Sequence, residues 1–241
     1  MLDPNAANTR VEKGTRHIYL SETRYALAEI KHLFIHELAC HVARCIAGEH
    51  SALGLLGIQT KNDHLIEEGR ALYYERQAAK LRGESFDDAG ARFGSLTVGL
   101  ACGVMTPPQT FLSLFTFLER YSLLARLLRR PEAKREELEQ EARQYALSMC
   151  LRTFRGVPDL SQPGICYLQD AVYLHGLHII EQAVAQDETL LDRLAVGRVG
   201  VEYLPDIEAL GIEPAPQPFK DLIFDPNLDA YILSFTEQET S

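Results

Sequence analysis

His32, His36, Glu37 and His41 fall within one ten-residue stretch, and Glu67 and Glu68 follow His41 by 26 and 27 positions. Zinc takes imidazole and carboxylate ligands of this kind, and a catalytic zinc keeps three of them while water holds the fourth position. A carboxylate beside that water serves as general base, the arrangement of the H-E-x-x-H metallopeptidases. The pattern here, H-E-x-x-x-H, is one residue longer.

That extra residue sets a geometric condition. On an ideal α-helix, residues i and i+5 lie about 140° apart, so His36 and His41 would point in different directions. An underwound turn, a π-bulge of the kind frequent at functional sites, returns both rings to one face. The spacing therefore predicts a distortion between His36 and His41, and a regular α-helix there defeats the catalytic reading. An undistorted helix would instead line up His32, His36 and Cys40, each four apart, as a structural metal stripe or as ordinary hydrogen-bonded residues. By spacing alone, Glu67 and Glu68 serve equally well as the third ligand.

Helices must carry this set. Residues 17–20 alternate as a short strand, and from Ser21, an N-cap candidate with Glu22 in the first turn, the apolar positions Leu27, Ile30, Leu33, Phe34, Leu38, Val42 and Ile46 read as one long helix to about Ala47. Gly48 is its expected stop. Asn62 or Asp63 caps a second helix from about 64 to 82, closed by Gly83. Further helices are expected near 86–104, 109–129, 132–150, 168–186 and 188–196, punctuated by Thr106-Pro107-Pro108 and Arg130-Pro131. The charge-dense stretch 132–143 reads as a solvated helix face. Pro214, Pro216 and Pro218 mark an extended segment wrapped on the body. The expected fold class is mainly α (α+β), with a few short strands. A polar N-terminal segment, 1–16, precedes a single domain, 17–241, in which 205–241 is the wrapping segment.

With 24 Lys+Arg against 34 Asp+Glu, the net charge of −10 argues against nucleic acid and anionic membrane surfaces as main partners, since both need a basic field. A 46% apolar and 24% charged composition is that of a folding globular chain. The five cysteines, odd in number and without a Cys-x-x-Cys pair, fit free thiols in a reducing compartment and read as buried small side chains. The opening MLDPNAANTR has no apolar leader and no run reaches membrane length, so a cytoplasmic protein is expected.

Three blocks in register carry a family resemblance. HELACHVARCIAG followed by LIEEGRALYYE resembles the His-Glu-x-x-x-His helix and Glu-Gly-Leu-Ala segment of the microtubule-associated tyrosine carboxypeptidases and their bacterial relatives named for a QEGLA motif. CLRTFRGVPDLSQPGICYLQDAVYLHG resembles their Arg-x-x-Arg-Gly stretch, Pro-Gly turn and Asp-x-x-Tyr-Leu-x-Gly helix start, and LPDIEALGIEPAPQP their closing segment. The resemblance spans about 17–219. It implies a zincin-like helical metallopeptidase domain with one zinc ion per chain, held by His36, His41 and Glu68, and with Glu37 as general base. Glu68 is preferred to Glu67 because it directly precedes Gly69. His64, one turn before Glu68, is a candidate to support that ligand from behind. Arg70 departs from the family's leucine, Gln169 from an expected lysine, and the chain is shorter than typical members.

The reaction implied is removal of a C-terminal residue, possibly tyrosine or another bulky one, from a peptide or protein tail. Its acidic balance argues against an acidic tubulin tail as substrate. A carboxypeptidase must also grip a terminal carboxylate, and Arg152 and Arg155 are the candidates, since a guanidinium holds a carboxylate with two parallel hydrogen bonds. The alternative is that they pair with Asp159 or Asp170 to fix the loop. Tyr173 is the candidate donor to the oxyanion, and Asp170 would orient an arginine or a ligand histidine. Two other readings stand beside this one: another zinc hydrolase, endopeptidase or amidase, on the same site, or a non-catalytic helical binding protein with a structural metal.

Overall fold

The computed structural model describes residues 10–12, 17–19, 25–86, 89–104, 106–217 and 219–238. One helical rod runs from Leu27 to His50 and changes its winding twice. Helix α1 (Leu27–His32) passes into a ten-residue π-helix, Leu33–Val42, which passes into α2 (Ala43–His50). The rod starts later than its apolar pattern predicts. Its N-cap is Ala26, whose backbone N–H donates to the Glu29 carboxylate at 2.6 Å, so an acid of the first turn replaces a capping side chain. The expected Ser21 cap and Glu22 lie outside the described residues.

The rod also ends later than predicted, because Gly48 is not its stop. A Cβ on Gly48 would lie 2.1 Å from the carbonyl oxygen of Leu56, so the glycine is there to let the 3₁₀ turn Gly54–Gly57 cross the helix backbone. Helix α3 (Asp63–Arg82) follows. Asn62 enters it in the left-handed region, φ 65°, and spends its amide on Glu202 at 2.7 Å instead of capping. Gly83, φ 69°, closes α3 as the sequence predicts.

The expected later helices are present as α4 (Ala89–Cys102), α5 (Phe111–Arg129), α6 (Arg135–Thr153), α7 (Gln169–Gln186) and α8 (Leu190–Arg193), the last continued by a 3₁₀ turn, Leu194–Val196. Thr110 caps α5, accepting from the Ser113 N–H at 3.2 Å. Short helices α9 (Leu204–Ala209) and α10 (Lys220–Ile223) precede α11 (Leu228–Gln238). Two three-residue strands, β1 (Arg10–Glu12) and β2 (His17–Tyr19), pair antiparallel with Val11 opposite Ile18. The chain is mainly helical. Among the described residues, no helix is long and apolar enough to cross a membrane.

Where the sequence reads as one domain over 17–241, the contacts group into two compact units, residues 1–86 with 175–241, and residues 87–174. In the first, the π-helix packs through Ile35, Ala39 and Cys40 onto Ala71, Tyr74 and Ala78 of α3, and Ile223, Leu228 and Ile232 complete that core. The 205–241 segment thus wraps in an extended course only near 212–217 and then supplies core helices. A neighbouring cluster joins Leu56 and Ile66 to Ile180, Leu190, Leu194 and Leu204. The second unit packs α4, α5 and α6 around Leu100, Leu114, Leu118, Ala146 and Phe154.

Candidate metal centre

The π-helix meets the condition set by the H-E-x-x-x-H spacing. Its i to i+5 hydrogen bonding places residues five apart close to one turn apart, and the His36 and His41 rings lie 4.8 Å apart by centroid, at 79°. Both are buried. Glu68 faces them from α3: its Oε2 lies 3.2 Å from His36 Nε2 and 3.6 Å from His41 Nε2. One ligand atom from each of these three residues falls within 4.8 Å of the other two. A tetrahedral site with bonds of about 2.0–2.1 Å has edges of roughly 3.4 Å, so the two measured edges suit a zinc-sized ion.

The outer nitrogens are also engaged by carboxylates. His36 Nδ1 lies 3.2 Å from Glu75 Oε2, and His41 Nδ1 lies 3.3 Å from Glu67 Oε1. Carboxylates behind ligand histidines fix ring orientation and raise ligand basicity in metal sites. Glu67, the rival third ligand by spacing, thus stands behind His41, while Glu68 bridges the two Nε2 atoms. His32 pairs with the other oxygen of Glu75 and is exposed. His64 Nδ1 is 3.8 Å from Glu68 Oε1. Cys40, the third member of the alternative stripe, is wholly buried, and that burial pushes its thiol up to about 12.

Behind this layer lies a network that the sequence did not disclose. Arg198 donates to Glu67 Oε2 at 2.9 Å and stands 3.5 Å from Asp63. Arg44 pairs with Asp63 at 3.0 Å and donates to the carbonyls of Gly197 and Val199. Asp63, Glu67, Glu68 and Glu75 bring four negative charges, and Arg44 and Arg198 answer two of them. Two imidazolium protons or one divalent cation on neutral imidazoles would each balance the remainder, so the donor set fits a divalent metal on charge as well as on distance.

Without metal the imidazoles take the protons. Burial would depress the His36 pKa, but Glu68 and Glu75 outweigh it and raise it from 6.5 to about 10. His41 is likewise raised, against its burial, by Glu67 and Glu68. Burial works against the charged forms of Glu68 and Glu75, yet their histidine partners bring both carboxyls down to about 2.

Glu37 follows His36 in the π-helix and is half-buried. The remaining sequence candidates belong to the second unit. Arg152 donates to Asp170 Oδ1 at 2.6 Å, the loop-fixing alternative. Asp170 is buried against α4, where a Cβ on Gly94 would come within 2.9 Å of its own Cβ and where its carbonyl accepts from Ser95. Arg155 stacks its guanidinium on Tyr167, 4.6 Å from the ring centroid. Tyr173 is half-buried in α7.

Glu75, missed by the sequence reading, left a usable signal: it lies seven residues after Glu68, about 20° from it on an ideal helix. Arg198 left none, being 131 positions from Glu67. The sequence matches no protein-family model, and a search of curated proteins finds no match.

Proposed function

We propose that this chain is a zinc-dependent metallopeptidase of carboxypeptidase type, with a zincin-like site formed by His36, His41 and Glu68. One observation carries the reading: the rod is wound as a π-helix over Leu33–Val42, and His36 and His41 meet Glu68 there. A helix that served only to pack its apolar face would have no reason to underwind, and π turns concentrate at functional sites. The resemblance to the tyrosine carboxypeptidases and QEGLA-motif proteins supplies the reaction class.

Bound at this set, zinc supplies Lewis acidity toward the scissile carbonyl and lowers the pKa of water. The chain's own groups do the rest. Glu75 and Glu67 hold the two imidazoles in the orientation that exposes their Nε2 atoms. Glu37 accepts the proton of the attacking water and returns it to the leaving amine. Of the two arginines, Arg152 is committed to Asp170, which leaves Arg155 as the sequence candidate for a terminal carboxylate.

The test is hydrolysis of a panel of short peptides with varied last residues, each with a free or an amidated C-terminus. Release of the last residue from free-acid peptides only, abolished in Glu37→Gln with zinc retained, is the expected result. Cleavage of amidated peptides would replace this reading with an endopeptidase or amidase. Zinc retention with no hydrolysis in wild type, and no difference in Glu37→Gln, would leave a structural metal in a binding protein.

A further inference from the structure

Beyond the metal set, the first unit contains a cavity of about 210 Å³ that shares no lining residue with it. Most of its wall is apolar, with Ala43 and Ile46 of the rod on one side and Phe219 and Ile223 on another. Two guanidiniums line it as well, Arg44 and Arg70, each only 1% exposed. Arg70 follows Glu68 by two positions, about 200° around α3, so it faces away from the metal ligands.

The cations of this cavity are unequal. Arg44 has Asp63 at 3.0 Å, and Lys220 pairs with Asp192. Arg70 has no carboxylate within ion-pair distance among the described residues. It donates through Nη2 to Gln217 Oε1 at 2.5 Å and to the Tyr74 hydroxyl at 3.2 Å. Among the described residues, its Nε and Nη1, together with Nη1 of Arg44, meet no acceptor. No aspartate or glutamate is among the described residues of the lining. A buried cation without an anion is costly to keep, and apolar walls give these N–H groups nothing to bind.

We infer that this cavity binds a small organic monocarboxylate, its carboxylate on Arg70 and its apolar body against Ala43, Ile46, Phe219 and Ile223. The Arg70 guanidinium, with no carboxylate at ion-pair distance among the described residues and Asp192 reached only through Gln217, matches one negative charge. Inorganic phosphate, more highly charged and wholly polar, would leave the apolar wall unused. The volume exceeds the roughly 150 Å³ that accommodates a benzene ring in an apolar cavity, which suits a ring bearing a short acidic tail. Exposed Ile46, His50 and Pro216 border the cavity and give it a path to solvent. The inference does not rest on the metal reading.

The probe is 3-phenylpropanoate, titrated calorimetrically into the full chain beside its neutral amide and acetate. Saturable binding of the acid, with the amide and acetate at least about tenfold weaker, is the expected result. Arg70→Leu should weaken the acid by a similar factor; Tyr74 and Gln217 remain hydrogen-bonded to each other at 3.2 Å, which favours its folding. Ala47→Phe fills the cavity with both guanidiniums in place and should abolish binding while keeping the wild-type zinc content. Failure of the acid to saturate, equal binding of acid and amide, or wild-type affinity in Ala47→Phe would overturn the proposal. If Arg70→Leu does not fold, Ala47→Phe and the amide decide it.

Discussion

Gly69 and Gly176 touch backbone to backbone: a Cβ on Gly69 would lie 2.1 Å from the carbonyl carbon of Gly176, and one on Gly176 2.1 Å from the carbonyl oxygen of Leu65. Gly69 directly follows Glu68, the proposed third ligand, so this contact fixes the stretch of α3 that faces the histidines. Backbone atoms cannot swing aside as a side chain can. Gly69→Ala should therefore destabilise by about 3 kcal/mol or more and lower zinc content in the folded fraction. Gly90→Ala, where a new Cβ meets nothing within 4 Å, is the control and should be neutral or stabilising by up to about 1 kcal/mol. Denaturant midpoints with an unchanged m-value would measure both.

The ligand assignment divides cleanly by residue. His36→Ala and Glu68→Ala each remove one of three converging donors and should reduce zinc from about one per chain to near none. His32→Ala should retain it, since His32 is exposed and meets the set from outside, pairing with Glu75 and lying 4.8 Å from the His36 ring by centroid. Elemental mass spectrometry of the purified proteins decides this. Zinc that survives His36→Ala but is lost in His32→Ala would transfer the site to His32 and Glu75 and end the carboxypeptidase reading.

How far the sequence anticipated this site depends on whether the governing forces were local. The π-helix was legible because two histidines five apart can converge only if the helix underwinds. Which carboxylate faces the histidines was not fixed by spacing, because Glu67 and Glu68 are neighbours in one turn, and which of them turns to the histidine Nε2 atoms depends on Arg198 pulling Glu67 the other way. Gly48 misled for a similar reason: its role is set by the Leu56 backbone crossing over it, while its position near the end of an apolar pattern resembles a stop. Helix α3 stops at Gly83 as expected and α5 has close to its predicted length between proline punctuations, whereas the division into two units follows from long-range packing that no local pattern reports.

Glu75 holds the back of His36, so its loss should act on metal affinity more than on fold. Glu75→Ala is expected to weaken zinc binding by about 10- to 100-fold, read by competition with a chromophoric chelator. Glu75→Gln keeps an acceptor for the His36 Nδ1–H and should recover part of that loss. Equal affinity in wild type and both variants would reduce Glu75 to a surface partner of His32.

The metal-free chain should have a distinctive stability profile. His36 is raised from 6.5 to about 10, so its contribution is present in full below about 6.5 and disappears as pH rises through 10. Glu68 and Glu75 are lowered from 4.5 to about 2, so theirs is present above about 4.5 and disappears as pH falls through 2. Together these place the greatest stability between about 4.5 and 6.5, with a decline toward pH 10. Zinc requires neutral imidazoles and removes His36 from titration, so the loaded protein should lose that alkaline decline. Urea denaturation at pH 5.5, 7.5 and 9.5, with zinc and with chelator, checks both arms, and zinc uptake at pH 7 should release at least about one proton, that of His36.

Arg198 is the cation on which the layer behind the ligands depends. It answers Glu67 at 2.9 Å and Asp63 at 3.5 Å, both wholly or almost wholly buried. Removing one partner of such a cluster leaves a buried charge uncompensated, a loss of about 3–5 kcal/mol, so Arg198→Met should be among the most damaging single changes outside the metal ligands. The double variant Arg198→Met, Glu67→Gln removes the uncompensated carboxylate together with its guanidinium and should be more stable than Arg198→Met alone. A glutamine at 67 can still accept from His41 Nδ1, so zinc should be bound by the double variant, though more weakly than by wild type. If Glu67→Gln gave no rescue, the destabilisation would belong to lost Arg198 packing or to Asp63, and the assignment of Arg198 as the counter-charge that holds Glu67 behind His41 would fail.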